Sequence, residues 1–294
     1  MHNKKQHFLP KFYLKGFTSK HFFKGNESEC FWVYDKVNKG ITKGSPEKDF
    51  TASYYYSYIK PDGSYDHDLE KQLSKVEYNA SKAIKNIIRI IHKKIKNESI
   101  SEIISEEDLD AIIEFTVWQI KRVPSIVDLI NSKIDEFKNN LVDEYSFLYG
   151  VDASNEMVNK VLHPDSINKK KLDLIKELGN DDMINFFSAI KRKNIRIFYI
   201  SKNEFSFITS DNPVIRINNN EPNGLNIAST RIFFPLHKKL LILFYEHGKS
   251  IDFYKVANYQ ELLYINKSIS LFCHQKLISR DKEMLETIRE ELYR

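Results

Sequence analysis

Cysteine is nearly missing: Cys30 and Cys273 are the only two in 294 residues. Two thiols by themselves cannot build a disulfide framework or a four-ligand zinc site. Glycine and proline are also few, with nine and eight copies. A hydrophobic share of 41% and a charged share of 29% exclude disorder, collagen and coiled coil as descriptions of the whole chain. No apolar run approaches the roughly 20 residues of a membrane span, and residues 1–7 are basic without the apolar stretch of a signal peptide. A soluble, cytoplasmic chain with no membrane partner is therefore expected. Also missing are a Gly-rich phosphate loop, a Gly-x-Ser-x-Gly elbow, a His-Glu-x-x-His pair and any Cys-x-x-Cys. Readings as an ATPase, a Rossmann dehydrogenase, an α/β-hydrolase or a zincin lose support accordingly.

Aromatic residues and lysine are what the chain has in quantity. Twenty Phe and sixteen Tyr supply ample core material. Formal charge is +5, and residues 1–25 hold six lysines and no acid, leaving the rest of the chain close to neutral. Phe8, Phe12, Tyr13, Phe17, Phe22 and Phe23 interleave with those lysines, a combination suited to phosphate contact plus base stacking. The plainer alternative makes the aromatics core anchors and the lysines solvated.

Three zones differ in pattern, with no repeat or low-complexity linker between them, and a single domain over 1–294 is expected. Residues 1–65 form an aromatic segment with a strand at Cys30–Tyr34 and a turn at Lys60–Gly63. Residues 66–190 are helical. Leu69, Leu73, Val76, Ala80, Ala83, Ile84, Ile87, Ile88 and Ile91 recur at helical spacing and form one apolar stripe. Ser105 reads as the N-cap of a second helix that is apolar around most of its girth until Pro124. That helix should be central, with Trp118 in the core. Further helices are expected at 125–147, 153–162, 165–178 and 181–189. Residues 191–294 switch to short β-rich runs, among them a hairpin of Ile195–Ile200 with Phe205–Thr209, and end in helices at 258–273 and 281–293 around a short strand at 276–279. Helices first and strands later argue for an α+β fold with an antiparallel or mixed C-terminal sheet.

Several polar groups stand out against this background. His7 lies one turn before aromatics that should bury. Glu70 and Glu77 are seven residues apart on one helix face, too far for one metal ion, and suit a solvated face. Gln119 and Arg122 sit three apart on an otherwise apolar helix, where a guanidinium needs a carboxylate, carbonyls or a phosphate. Ser210-Asp211-Asn212-Pro213 ends a strand, either as an Asx-turn or as a turn that projects Asp211 into a site. His237, at another strand end, could approach it. Arg122 and Asp211 are expected to lie close together, paired or facing one ligand.

These blocks resemble one family. Gln6-His7-Phe8-Leu9-Pro10-Lys11-Phe12-Tyr13-Leu14-Lys15-Gly16-Phe17 is similar to the His-x-x-Pro-x-x-Tyr-Leu-x-x-Phe opening of the bacterial "domain of unknown function 4238" family. Phe31–Asp35 fits its early strand, and Asp68-Leu69-Glu70 through Glu77 fits the acidic start of its first long helix. Gln119-Ile120-Lys121-Arg122-Val123-Pro124 fits its Gln-x-x-Arg-x-Pro, Thr209–Val214 its Thr-Ser-Asp-Asn-Pro-Val, and Pro235-Leu236 the Pro-Leu that follows. His237-Lys238 departs from the Ser-Pro of that pattern, which weakens a part for His237. The resemblance spans nearly the whole chain and implies a bacterial intracellular protein with no established activity, in a family associated with mobile-element and phage-defence genes.

Two functional expectations follow. In the first, the chain is a nucleic-acid-acting effector, a phosphodiesterase or nuclease in a defence or toxin setting. His7 would act as acid/base, Arg122 with Gln119 would hold a phosphate, and Asp211 would orient or deprotonate. Lys11, Tyr13, Ser210 and Asn212 would contact RNA or DNA, and Glu70 with Asp211 would bind Mg2+ if a metal is used. In the second, the chain is a non-enzymatic module that binds nucleic acid or a partner protein from the same operon, and the same polar residues form a structural network. An open cleft lined by His7, Arg122 and Asp211 would favour the first, and a sealed network the second.

Overall fold

The structure is a computed structural model that describes residues 5–23, 26–60, 62–96, 104–149, 169, 172, 181–218 and 224–292. The first zone is β-rich: β1 (Lys5–His7), a short helix α1 (Lys11–Lys15), β2 (Ser19–Phe23), β3 (Asn26–Asp35), β4 (Gly40–Gly44), β5 (Thr51–Ser53), β6 (Tyr58–Ile59) and β7 (Tyr65–Asp66). Helices α2 (Asp68–Ile95), α3 (Glu106–Lys121), α4 (Pro124–Tyr149) and α5 (Asp181–Lys191) follow. The last zone holds β8 (Lys193–Tyr199), β9 (Thr209–Ser210), β10 (Ile215–Ile217), β11 (Arg231–His237), β12 (Leu240–His247), β13 (Ile251–Lys255), α6 (Tyr259–Leu271), β14 (Lys276–Ser279) and α7 (Lys282–Leu292). The fold is α+β, as the zone order implied. The helices expected at 153–162 and 165–178 lie outside the described residues apart from Lys169 and Leu172, which are helical.

Local chemistry accounts for the helix ends. The Ser105 hydroxyl accepts the Asp108 N–H at 3.1 Å, the N-cap that the sequence announced. Pro124 opens α4, where a missing N–H costs nothing, so it separates two helices and does not kink one. Asn258 caps α6 by accepting from the Glu261 N–H.

One mixed sheet has the order β10-β11-β12-β8-β13, all pairs antiparallel except β13 beside β8. Burial alternates along β8, with Lys193, Ile195, Ile197 and Tyr199 inward, as a strand with one covered face requires. A second sheet runs β2-β3-β14-β9, with β4 also paired to β3. The expected hairpin does not form: β8 pairs with β12 and β13, whereas β9 pairs with β14 in the other sheet. The cause is polar. The Asn266 side chain accepts from the Ile208 N–H and donates to the Ser206 carbonyl, and the Lys239 ammonium donates to the carbonyls of Lys202, Asn203 and Phe205. These bonds draw residues 202–208 away from β8.

One apolar core draws on all three zones, from Leu9 and Tyr13 through Leu73, Ile87 and Phe115 to Phe234 and Ile278. The N-terminal aromatics belong to it. The Tyr13 ring lies 5.6 Å from Phe234 and 6.1 Å from Phe115, and Phe12 lies 5.3 Å from Phe115. Tyr13 and Phe17 are buried and Phe8 and Phe12 are packed against the core, so these four rings are not open stacking platforms.

Candidate functional site

Three elements far apart in sequence bring the polar blocks together. On α3, the Gln119 Oε1 accepts from both Nε and Nη2 of Arg122, at 2.9 and 2.7 Å. Arg122 Nη1 reaches across to Glu77 Oε1 on α2 at 2.7 Å, and its guanidinium lies over the Phe115 ring. The Gln119 amide donates to the Phe8 carbonyl, which ties the cluster to the N-terminal segment. Arg122 is 1% exposed and the Glu77 side chain 28%, so the pair is sealed at the guanidinium and opens to water at the carboxylate.

Two turns toward the start of α2, at Glu70, a second network forms. The Gln6 amide donates to Ser57 Oγ at 2.7 Å and to Glu70 Oε2 at 2.8 Å, while its carbonyl accepts the Tyr56 N–H. Ser57 Oγ also meets His67 Nδ1 at 2.9 Å, and Glu70 lies 3.5 Å from the same nitrogen. Serine and carboxylate therefore share one ring nitrogen. A nucleophilic triad needs them on opposite nitrogens, so Ser57 is not activated in that way. The Tyr56 hydroxyl is buried with no hydrogen-bond partner among the described residues, and burial raises its pKa well above the ordinary tyrosine value. Tyr56, Ser57 and His67 went unnoticed in sequence, and Gln6 was read only as part of the N-terminal block, because amides, hydroxyls and a lone histidine carry no spacing signal.

The other predicted residues sit elsewhere or are engaged. His7 Nε2 contacts the Pro46 carbonyl at 2.9 Å. Asp211 accepts the backbone N–H groups of His274, Gln275 and Lys276 at 3.0, 2.8 and 2.9 Å; burial raises its pKa against the pull of those three amides. The turn is closed by the Ser210 hydroxyl, which accepts the Asn212 N–H and donates to the Asn212 carbonyl, a serine turn in place of the expected Asx-turn, while the Asn212 amide donates to the Phe272 carbonyl. Asp211 and Arg122 thus do not pair; Glu77 is the carboxylate that Arg122 holds. The Tyr13 hydroxyl is buried between Thr209 and the Pro235 carbonyl, and Lys11 pairs with Glu47 at the surface. His237 accepts the Lys239 N–H and packs against Gly16, away from the contacts Asp211 makes. Glu70 and Asp211 are not gathered into a metal site, and no group of three or more His, Cys, Asp or Glu among the described residues could hold an ion. Two surface cavities, 910 and 640 Å3, are lined by α5 with residues 224–226 and by β10, β11 and α6; none of the predicted site residues lines either.

The solvent face of α2 carries the strongest charge pattern. Lys71, Lys75, Lys82, Lys85, Arg89, Lys93 and Lys96, with Tyr78 among them, follow one another at intervals of three and four. At roughly 100° per residue, all eight fall within about 40° of one line. Six of the seven cations are exposed, as is Tyr78 at 72%. Between Lys71 and Lys96 the line runs about 38 Å at 1.5 Å per residue. The buried residues Leu69, Leu73, Val76, Ala80, Ile84 and Ile87 occupy the opposite face. Acidic residues on α2 lie off the line: Asp68 near Lys71, and Glu70 and Glu77 turned to the two networks.

No curated protein and no solved structure matches this chain. A family model does, from residue 5 to residue 283, and it takes in the Gln6, Glu77, Arg122 and Asp211 blocks together. The chain belongs to the family described as "Protein of unknown function (DUF4238)".

Proposed function

We propose that the protein is a non-catalytic nucleic-acid-binding module. The cationic line on α2 carries this reading. Seven positive side chains in register along about 38 Å suit a polyanion whose charges repeat along one axis, and each phosphate neutralised releases counterions. The polar residues first assigned to phosphodiester cleavage are engaged internally: Asp211 with three amides, His7 with a carbonyl, and Arg122 with Glu77 and Gln119. The Gln6–Glu70, Gln119–Phe8 and Arg122–Glu77 contacts fix the β1 segment, α2 and α3 against one another.

The test is a titration of fluorescein-labelled DNA and RNA oligonucleotides at several salt concentrations. Binding should weaken linearly in log–log form as salt rises, with a slope of roughly −0.7 to −0.9 per phosphate contacted. The triple variant Lys82→Glu, Lys85→Glu, Arg89→Glu, on exposed positions, should lose most affinity and flatten that slope. Wild-type binding that is absent, or unchanged in the triple variant, overturns the reading.

A further inference from the structure

We propose that the nucleic acid bound along α2 is single-stranded, and that its bases stack on an aromatic column at the N-terminal end of that helix. This rests on the binding reading above. The Tyr54 and Tyr65 rings are parallel, 4.3 Å apart with 7° between their planes. The His67 ring backs the column at its buried end, 6.0 Å from Tyr65 at 24° with its side chain 10% exposed, which leaves Tyr54 and Tyr65 as the rings open to a base. Tyr65 and His67 directly precede α2, so the column ends within one turn of Lys71, where the cationic line begins. Tyr54 and Tyr65 are both partly exposed, and Tyr78 stands on the line itself.

Backbone conformation adds an independent observation. Tyr54 has φ 50° and Phe50 φ 58°, in the left-handed region that bulky side chains avoid. Such strain persists only where the surroundings impose it and gathers at binding sites. Tyr54, one of the two residues concerned, is the ring that stacks on Tyr65. Phosphates along a line of cations and bases on adjacent rings are the two ingredients of single-strand binding. A duplex presents its phosphates but keeps its base faces stacked inside, so the column would add nothing to duplex affinity.

The experiment compares a labelled 20-nucleotide single strand with its duplex by fluorescence anisotropy, for wild type, Tyr54→Asn and the triple α2 variant. Asn tolerates positive φ, so Tyr54→Asn removes the ring while suiting the backbone; its melting temperature, measured alongside, should match or exceed wild type. The expected result is tighter binding of the single strand and a loss of about tenfold in Tyr54→Asn with the salt slope unchanged. The duplex should be insensitive to Tyr54→Asn. Equal affinity for duplex and single strand, or a silent Tyr54→Asn on the single strand, overturns the column while leaving the cationic line as a binding surface. No binding of either probe overturns both.

Discussion

Arg122 on α3 holds Glu77 on α2 with 2.7 Å between Nη1 and Oε1, and the guanidinium is 1% exposed. A buried charge of this kind needs its partner, because its hydration has been surrendered. Glu77→Ala should cost about 3–5 kcal/mol, the penalty of leaving the surviving charge uncompensated. Glu77→Gln, which keeps an acceptor oxygen, should cost less. Denaturant titration decides: a loss under about 1 kcal/mol for Glu77→Ala would mean that Gln119 alone satisfies Arg122.

Asp211→Asn is expected to destabilise the fold, although it is nearly isosteric. Both carboxylate oxygens accept from backbone, one from His274 and the other from Gln275 and Lys276. An amide replaces one acceptor with an N–H2 that faces donors. A loss of about 1–3 kcal/mol is expected for the unmet amides. Local amide exchange at 274–276 should quicken as well. A variant as stable as wild type, with those amides still protected, would contradict the clamp.

Trp118 is buried on a helix whose Ile112, Ile113, Phe115 and Val117 are buried too. Trp118→Ala should therefore cost about 3–5 kcal/mol through lost transfer energy and the cavity left behind. Lys121 lies over both the Trp118 and Phe186 rings, so the change also removes one of its aromatic contacts. A midpoint shift worth under about 1 kcal/mol in urea would place α3 at the periphery.

His237 is expected to make the fold acid-sensitive. Burial, followed by the charges of Lys238, Lys239 and His92, lowers its pKa from 6.5 to about 3. Its Nδ1 accepts the Lys239 N–H, a bond that the neutral ring alone can make. Between those two pKa values the unfolded chain binds a proton that the native state refuses, so stability rises with pH across that window. The contribution is present above about pH 6.5 and is lost as pH falls toward 3. Urea unfolding of His237→Gln should show a shallower decline over this range than wild type, by about one proton in linkage slope. Parallel slopes for the two proteins would remove His237 as the cause.

The sequence by itself determined the elements whose signal is local. Apolar residues at three- and four-residue spacing drew α2 and α3, Ser105 marked the start of α3, and Pro124 marked the break before α4. Strands β3, β11, β12 and β14 were legible from short β-rich runs, whereas the cationic face of α2 was recognised only once the helix and its buried side were in place. Partner choice was not. An arginine in an apolar helix announces that an acceptor must come, but the sequence pointed to Asp211, and only the packing of α2 on α3 put Glu77 within 2.7 Å instead. Asp211 was claimed instead by three amides more than sixty residues later in the chain. The same holds for the missing hairpin: adjacency in sequence favoured β8 with 205–209, and the Asn266 and Lys239 side chains, distant in sequence, redirected that segment to the other sheet. Periodicity is a property of neighbours along the chain, whereas the satisfaction of a buried charge or a backbone amide depends on which groups the whole fold brings within hydrogen-bond reach.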